Sequence, residues 1–410
     1  MSGNYVEFTK GMKKDYTILA PNMLPLQFSL IAKVLETEGY NVELLQNSGT
    51  NIPELGLKYC HNDTCYPAIL VIGQFLDALL SGKYDTNKVA LLYFQTGGGC
   101  RASNYISLIR KALKKAGLGH IPVISLSLRG LEKHSGFKLS LSALHRCVYA
   151  VLYGDLLFSL RNQCKPYELI SGAAQTLAEE YCDKLIRKMS ADGISFKKFK
   201  ANCSLILDAF AKLPRKKEKK VQVGIVGEIY VKFSPLGNNN LEQLLVDNGA
   251  EVTIPGLFDF FMYCMYNQIS DYILYKKGRL FHPAIKFAFN FMLKKQAEVI
   301  RLIKEHGVFR APAKFSRVIE LTEGYISHGC KMGEGWLLPA EMLELADSGV
   351  KNIVCTQPFG CLPNHICGKG MMKPIKDRNP DINIVAIDYD ASASQVNQVN
   401  RIKLMLANAK

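Results

Sequence analysis

The chain has 410 residues, 48% of them hydrophobic and 21% charged, which allows two or three cored domains and excludes a disordered or fibrous protein. Its formal charge is +15, yet the basic residues are scattered, and without a nucleic-acid motif or an interleaved aromatic ladder no nucleic-acid partner is expected. That charge would serve solubility, an acidic partner protein or a phosphate-bearing substrate.

Residues 1–16 have no apolar core, so no secretory signal is expected. Apolar patterning then predicts a strand at 16–20, an amphipathic helix at 26–38 and a second strand at 40–45. Residues 55–67 read as a loop carrying Cys60 and Cys65, ahead of a helix from about 69. The run VALLYFQ at 89–95 predicts a strand, Thr96-Gly97-Gly98-Gly99-Cys100 a turn, then a helix from about 102 and a strand at 120–126. Residues 1–139 thus form a doubly wound α/β unit. Residues 140–220 read as a helical insert that ends in a solvated basic linker, Arg215-Lys216-Lys217-Glu218-Lys219-Lys220.

The second α/β unit, 221–410, opens with a strand at 221–230, a helix at 241–248 and a strand at 251–254. A helical section at 258–304 follows. The most apolar stretch, 256–275, contains Asp259, Asn267, Gln268 and Asp271 and falls short of a membrane span, so a soluble, cytoplasmic protein is expected. After a loop bearing Cys330 come a strand at 352–356, the turn Gln357-Pro358-Phe359-Gly360-Cys361, a helical pattern from about 363, a strand at 382–388 and a final helix at 394–409.

The two units follow one plan. Gln95 and Cys100 match Gln357 and Cys361; GQFLDALLSG at 73–82 lies over AEMLELADSG at 340–349; Cys65 and Cys330 stand ahead of those segments. An internal duplication is therefore expected.

Twelve cysteines in a reducing compartment point to metal binding or redox chemistry rather than disulfides. Cys147, Cys182, Cys203 and Cys264 sit in helical patterns and read as core; Cys164, at a helix end, has no assigned role. Cys65, Cys100, Cys330 and Cys361 lie in turns at repeated places and read as metal ligands, because clustered thiolates are what iron–sulfur and zinc sites require. Cys361 and Cys100 would stand where a strand's carboxyl end meets a helix start, the ligand edge of an open α/β sheet. Gly97, Gly98, Gly99 and Gly360 would let the backbone approach a bulky ligand, or would merely make tight turns. Cys60, Cys355 and Cys367 follow in that order: Cys60 shares the loop of Cys65, Cys355 lies on a strand near the crevice, and Cys367 would face away from Cys361 on a helix. Zinc could use four thiolates, but no Cys-x-x-Cys knuckle is present, and the long spacings suit a larger cluster. Glu334 and His365 are candidate proton donors, weighed against a helix-start carboxylate and a surface histidine.

At GLKYCHNDTCYPAILVIGQ, QTGGGCRASNYI, GEGWLLPAEM, QPFGCLPNHICGKG and DYDASASQVNQVNRIKLML, running from about Gly56 to Leu406, the chain resembles the 2-hydroxyacyl-CoA dehydratase and benzoyl-CoA reductase family. It is most similar to the double-cubane cluster proteins and to the carboxyl half of the long CoA-enzyme activases. The resemblance implies two duplicated, doubly wound α/β domains with helical insertions and a metal cluster in the interdomain cleft. It implies either one [4Fe-4S] cluster on three cysteines or an [8Fe-9S] double cubane on six, here Cys60, Cys65, Cys100, Cys330, Cys355 and Cys361. It further implies an ATP-hydrolysing iron–sulfur reductase as electron donor, a small-molecule substrate and a homodimer, or, in the dehydratase branch, a partner subunit and an acyl-CoA. A two-domain protein binding zinc or a small molecule is the non-catalytic alternative.

Overall fold

The computed structural model describes residues 5–94, 99–126, 134–191 and 195–409. Within them the first sheet comprises β1 (Thr17–Pro21), β2 (Asn41–Leu45), β3 (Val89–Phe94) and β4 (Val123–Leu126). The second comprises β5 (Val221–Gly227), β6 (Ala250–Thr253), β7 (Asn352–Pro358) and β8 (Asn383–Tyr389). Both are wholly parallel and share one order, β2-β1-β3-β4 and β6-β5-β7-β8. Their central strands are near-continuous apolar runs because helices cover both faces; every residue of β7 is buried.

In each sheet the chain first adds a strand on one side of the opening strand, then returns to build on the other. The order reverses between β1 and β3, and between β5 and β7. A crevice opens at such a reversal, beyond the carboxyl ends of the strands, and that is where open α/β sheets take ligands. The two sheets are not independent: Leu19, Leu91 and Val123 of the first belong to the same apolar cluster as Val223, Val354 and Ile387 of the second.

The helical insert consists of Leu141–Cys164, Ala173–Ala191 and Phe196–Ala211, and the second helical section of Leu257–Tyr275 and His282–His306. Both pack with the helix Pro25–Thr37 into one core that includes Leu30, Tyr153, Phe199, Met262, Phe315 and Trp336. The insert is therefore tied to both α/β units. Asp155 supplies one tie: its carboxylate accepts from the N–H groups of Leu257 (3.1 Å) and Phe258 (2.8 Å), an N-cap delivered from another helix. Among the described residues no helix is long and apolar enough to cross a membrane.

The element bounds agree with the sequence expectations to within a few residues, with one exception. Residues expected as loop contain the helix Asn51–Tyr59. It crosses the helix Tyr66–Leu80 in backbone contact: a Cβ on Gly56 would stand 2.1 Å from the Ile69 carbonyl oxygen, and one on Gly73 2.0 Å from that of Ile52. Gly56 is the residue that lets the two helices touch. Gln95, Gly97 and Gly98 lie outside the described residues.

A buried thiol cleft between the two sheets

β7 ends at Pro358, and the chain turns through Gly360 to place Cys361 at the carboxyl edge of the second sheet. Across the cleft Cys65 stands at the N-cap position of Tyr66–Leu80, at the carboxyl edge of the first. The Tyr66 N–H donates to the Phe359 carbonyl (3.0 Å), so a main-chain bond joins the two units beside the thiols. Cys65 and Cys361 pack in one cluster with Ala68 and Tyr105. The Cys361 thiol hydrogen-bonds Cys65, which together with burial holds it well above the usual thiol range. The Tyr105 hydroxyl also bonds Cys65.

Cys100 precedes the short helical turn Arg101–Asn104, and its sulfur accepts from the Ala102 N–H at 3.5 Å. Burial, reinforced by Glu334, pushes its thiol up to about 12, with Cys361 and Glu228 adding to the effect. A Cβ on Gly333 would lie 3.3 Å from the Cys100 sulfur, so the Cys330 loop closes over this thiol. Cys65, Cys100 and Cys361 thus meet in one place, drawn from both units.

The remaining cysteines lie at graded distances. Cys355 is fully buried on β7, accepts from Gln357 Nε2 (3.1 Å), and burial pushes its thiol up to about 12; Cys361 is among the charges that act on it. Cys330 is exposed in its loop and acts on Cys367, whose thiol burial and then Cys330 push up to about 11. Cys367 was expected to face away. It lies on a π-helical segment, Asn364–Lys369, a turn type that recurs at functional sites, and Cys361 follows Cys330 among the charges that raise its thiol. Cys60 donates to Thr64 (3.3 Å) and lines a small cavity with Leu108, Lys111 and Lys115, apart from the other thiols. Of the residues read as core, Cys182 and Cys203 are buried and Cys147 and Cys264 half-buried; Cys164, given no role, is buried as well.

Glu334 is buried, accepts from the Ile229 N–H (3.1 Å), and burial raises its carboxyl above the usual range. His365 is exposed. Sequence reading missed Glu228, which lay hidden inside an expected strand. The strand stops at Gly227, and buried Glu228 caps the next turn by accepting from the Val231 N–H at 2.9 Å. Burial, then Glu334, raises its carboxyl to about 8. The side-chain amide of Asn364, also missed, lies 3.3 Å from the Cys361 sulfur. Turned to satisfy both its ends, it donates to the Thr356 carbonyl and accepts from the Glu228 N–H.

Behind this acid pair runs a buried row of carboxyls served by one ammonium. Lys232 pairs with Glu341 at 2.8 Å, both side chains almost fully enclosed. The same ammonium acts on Asp155, Glu228, Glu334 and Glu344. Burial lifts Asp155 to about 6, and burial with Glu341 lifts Glu344 to about 7.

Gly360 has φ +74°, and a Cβ there would lie 3.3 Å from the Cys65 Cα and 3.0 Å from an Arg101 guanidinium nitrogen. An L-residue costs about 1–2 kcal/mol in that backbone region. Gly360→Ala is expected to lower stability by about 1–3 kcal/mol in urea unfolding, and an unchanged midpoint would show that the turn tolerates a side chain.

Three thiols brought together from two units are a donor set of the kind that thiolate-bound metals use. The Cys100 and Cys361 thiols, raised by burial, are poor nucleophiles as they stand, and a bound cation would remove their protons and offset the charge. Among the described residues no three His, Cys, Asp or Glu side chains are gathered at single-ion spacing; a polynuclear cluster holds its thiolates further apart than one ion does. No protein-family model and no curated protein matches the chain, and its chemistry is read from the thiols of the cleft.

Proposed function

We propose that the cleft holds an iron–sulfur cluster and that the chain is the substrate-reducing component of an ATP-dependent, low-potential electron-transfer system. The observation that carries this reading is the meeting of Cys65, Cys100 and Cys361 from two α/β units in one buried crevice. These three thiols would hold the group, and Cys330 and Cys355 would complete a double cubane. Cys367, next to Cys330, is better placed than Cys60 for the sixth position. When bound, such a cluster supplies one-electron transfer at low potential.

The protein's own part is exclusion and proton supply. Tyr105 fixes the sulfur of Cys65, and outer-shell bonds of this kind orient metal ligands. Glu228, with its carboxyl raised to about 8, keeps a proton at neutral pH beside Cys100 and can give it to a substrate that has gained charge. Around the mouth Met332, Phe359, Leu362 and Ile366 are 48–63% exposed, an apolar rim suited to a reductase partner. A cytoplasmic homodimer acting on a small molecule fits this reading. The compactness of the three central thiols favours one alternative, a dehydratase- or benzoyl-CoA reductase-type subunit with a single [4Fe-4S] cluster.

Iron and acid-labile sulfide analysis after anaerobic purification tests the proposal. About eight irons per chain in a homodimer supports the double cubane, and about four per chain in a heterodimer supports the alternative. A colourless protein with stoichiometric zinc overturns both.

A further inference from the structure

A cavity of about 430 Å³ lies at the other edge of the second sheet, where the basic run leads into β5 and Glu251 begins β6. Its wall carries Arg215, Lys216, Lys217 and Arg310. The sequence reads this run as a solvated linker, but the structure holds its start in place. The Lys216 N–H donates to the Tyr167 carbonyl (2.8 Å) and the Leu169 N–H to the Pro214 carbonyl (3.3 Å), so that the main chain at Arg215 and Glu168 forms an isolated antiparallel β-bridge.

The acids of the cavity are already engaged. Glu251 pairs with Arg310 and accepts from the Tyr167 hydroxyl at 2.7 Å, while Glu218 pairs with Lys220 at 2.9 Å. Arg215, Lys216 and Lys217 have no carboxylate ion pair among the described residues. Three cations held around a concavity favour an anion there. A bare ion would leave the apolar side of the wall idle, which is formed by Leu213 and half-exposed Val308 beside the Arg215 guanidinium, itself packed 5.2 Å over the buried Phe309 ring.

We propose that this cavity binds a small phosphate ester of about nucleoside monophosphate size. The phosphate would meet Lys216, Lys217 and Arg215, and the organic part would lie along Leu213 and half-exposed Val308. The volume falls within the range of small-molecule sites. The cavity is at the amino edge of a sheet whose carboxyl edge carries the thiols, so its occupant would stand apart from them. The inference is independent of the cluster.

Calorimetric titration of the intact chain with AMP and with inorganic phosphate tests it. Expected is saturable AMP binding, at least about tenfold tighter than phosphate. The double substitution Lys216→Ala/Lys217→Ala, at exposed positions, should weaken AMP at least about tenfold with an unchanged melting temperature. The control pair Lys276→Ala/Lys277→Ala should leave binding as it was. Absence of saturation up to about 10 mM AMP, which corresponds to negligible affinity, overturns the proposal. So does equal weakening by the control pair, which would mean diffuse charge, or phosphate binding as tight as AMP, which would mean an unused apolar wall.

Discussion

Replacing Cys361 by serine is expected to remove most of the bound iron and to lower any iron-dependent reduction by more than the roughly 10–100-fold that follows loss of an outer-shell partner. The hydroxyl is nearly isosteric and can still hydrogen-bond Cys65, so the fold should survive. What disappears is the proposed thiolate donor at the centre of the cleft, which hydrogen-bonds Cys65 and acts on Cys100. Cys203→Ser is the control. That sulfur is fully enclosed in the helical core, so its loss should cost stability, on the order of 1–3 kcal/mol for a buried polar replacement, without changing iron content. Iron and sulfide per chain, measured anaerobically on both variants beside unfolding midpoints, separate the two roles. Equal iron in Cys361→Ser and the parent would sink the ligand assignment.

Lys232→Met is expected to be the most destabilising single change outside the cleft. Lys232 and Glu341 are ion-paired with side chains 4% and 3% exposed, and removing one partner of a buried pair leaves an uncompensated charge, at a cost of about 3–5 kcal/mol. The loss should depend on pH in a definite direction. Asp155 and Glu344 have folded pKa values raised to about 6 and about 7, from 3.8 and 4.5. A raised carboxyl means that the folded state binds the extra proton, so stability is greatest below the unfolded values and falls as pH rises through about 4 to 7. The lysine limits that fall, and without it the fall steepens. Urea unfolding of Lys232→Met should therefore show a larger deficit at pH 8 than at pH 5. Pairing it with Glu341→Leu should recover most of the loss, since a buried ion pair exchanged for apolar groups is often neutral. The same deficit at both pH values would refute the idea that this ammonium balances the row.

The strands and most helices are legible because their signals are local. Val89–Phe94 and Asn352–Pro358 are apolar runs bounded by turn residues, and parallel sheets need such runs. The equal strand order of the two sheets is foreshadowed by the repeated cysteine–helix–strand spacing. Cys65, Cys100 and Cys361 were legible for the same reason: they sit in turns after or before elements that a period of two or 3.6 can place. Glu228 was not, since one residue separates a strand position from a cap, and sequence places boundaries less sharply than that. Cys367 was obscured by a local change of helix type with no sequence marker. The row from Asp155 to Glu344 joins residues almost 190 positions apart, and nothing in a single sequence announces that these carboxyls share one ammonium.

The bond from the Tyr66 N–H to the Phe359 carbonyl makes the two units mechanically interdependent at the point where their sulfurs touch. Any hinge motion that parts the sheets must break this bond and separate Cys65 from Cys361 in the same step. The Cys330 loop, which lies over the Cys100 sulfur, contributes nothing to that joint.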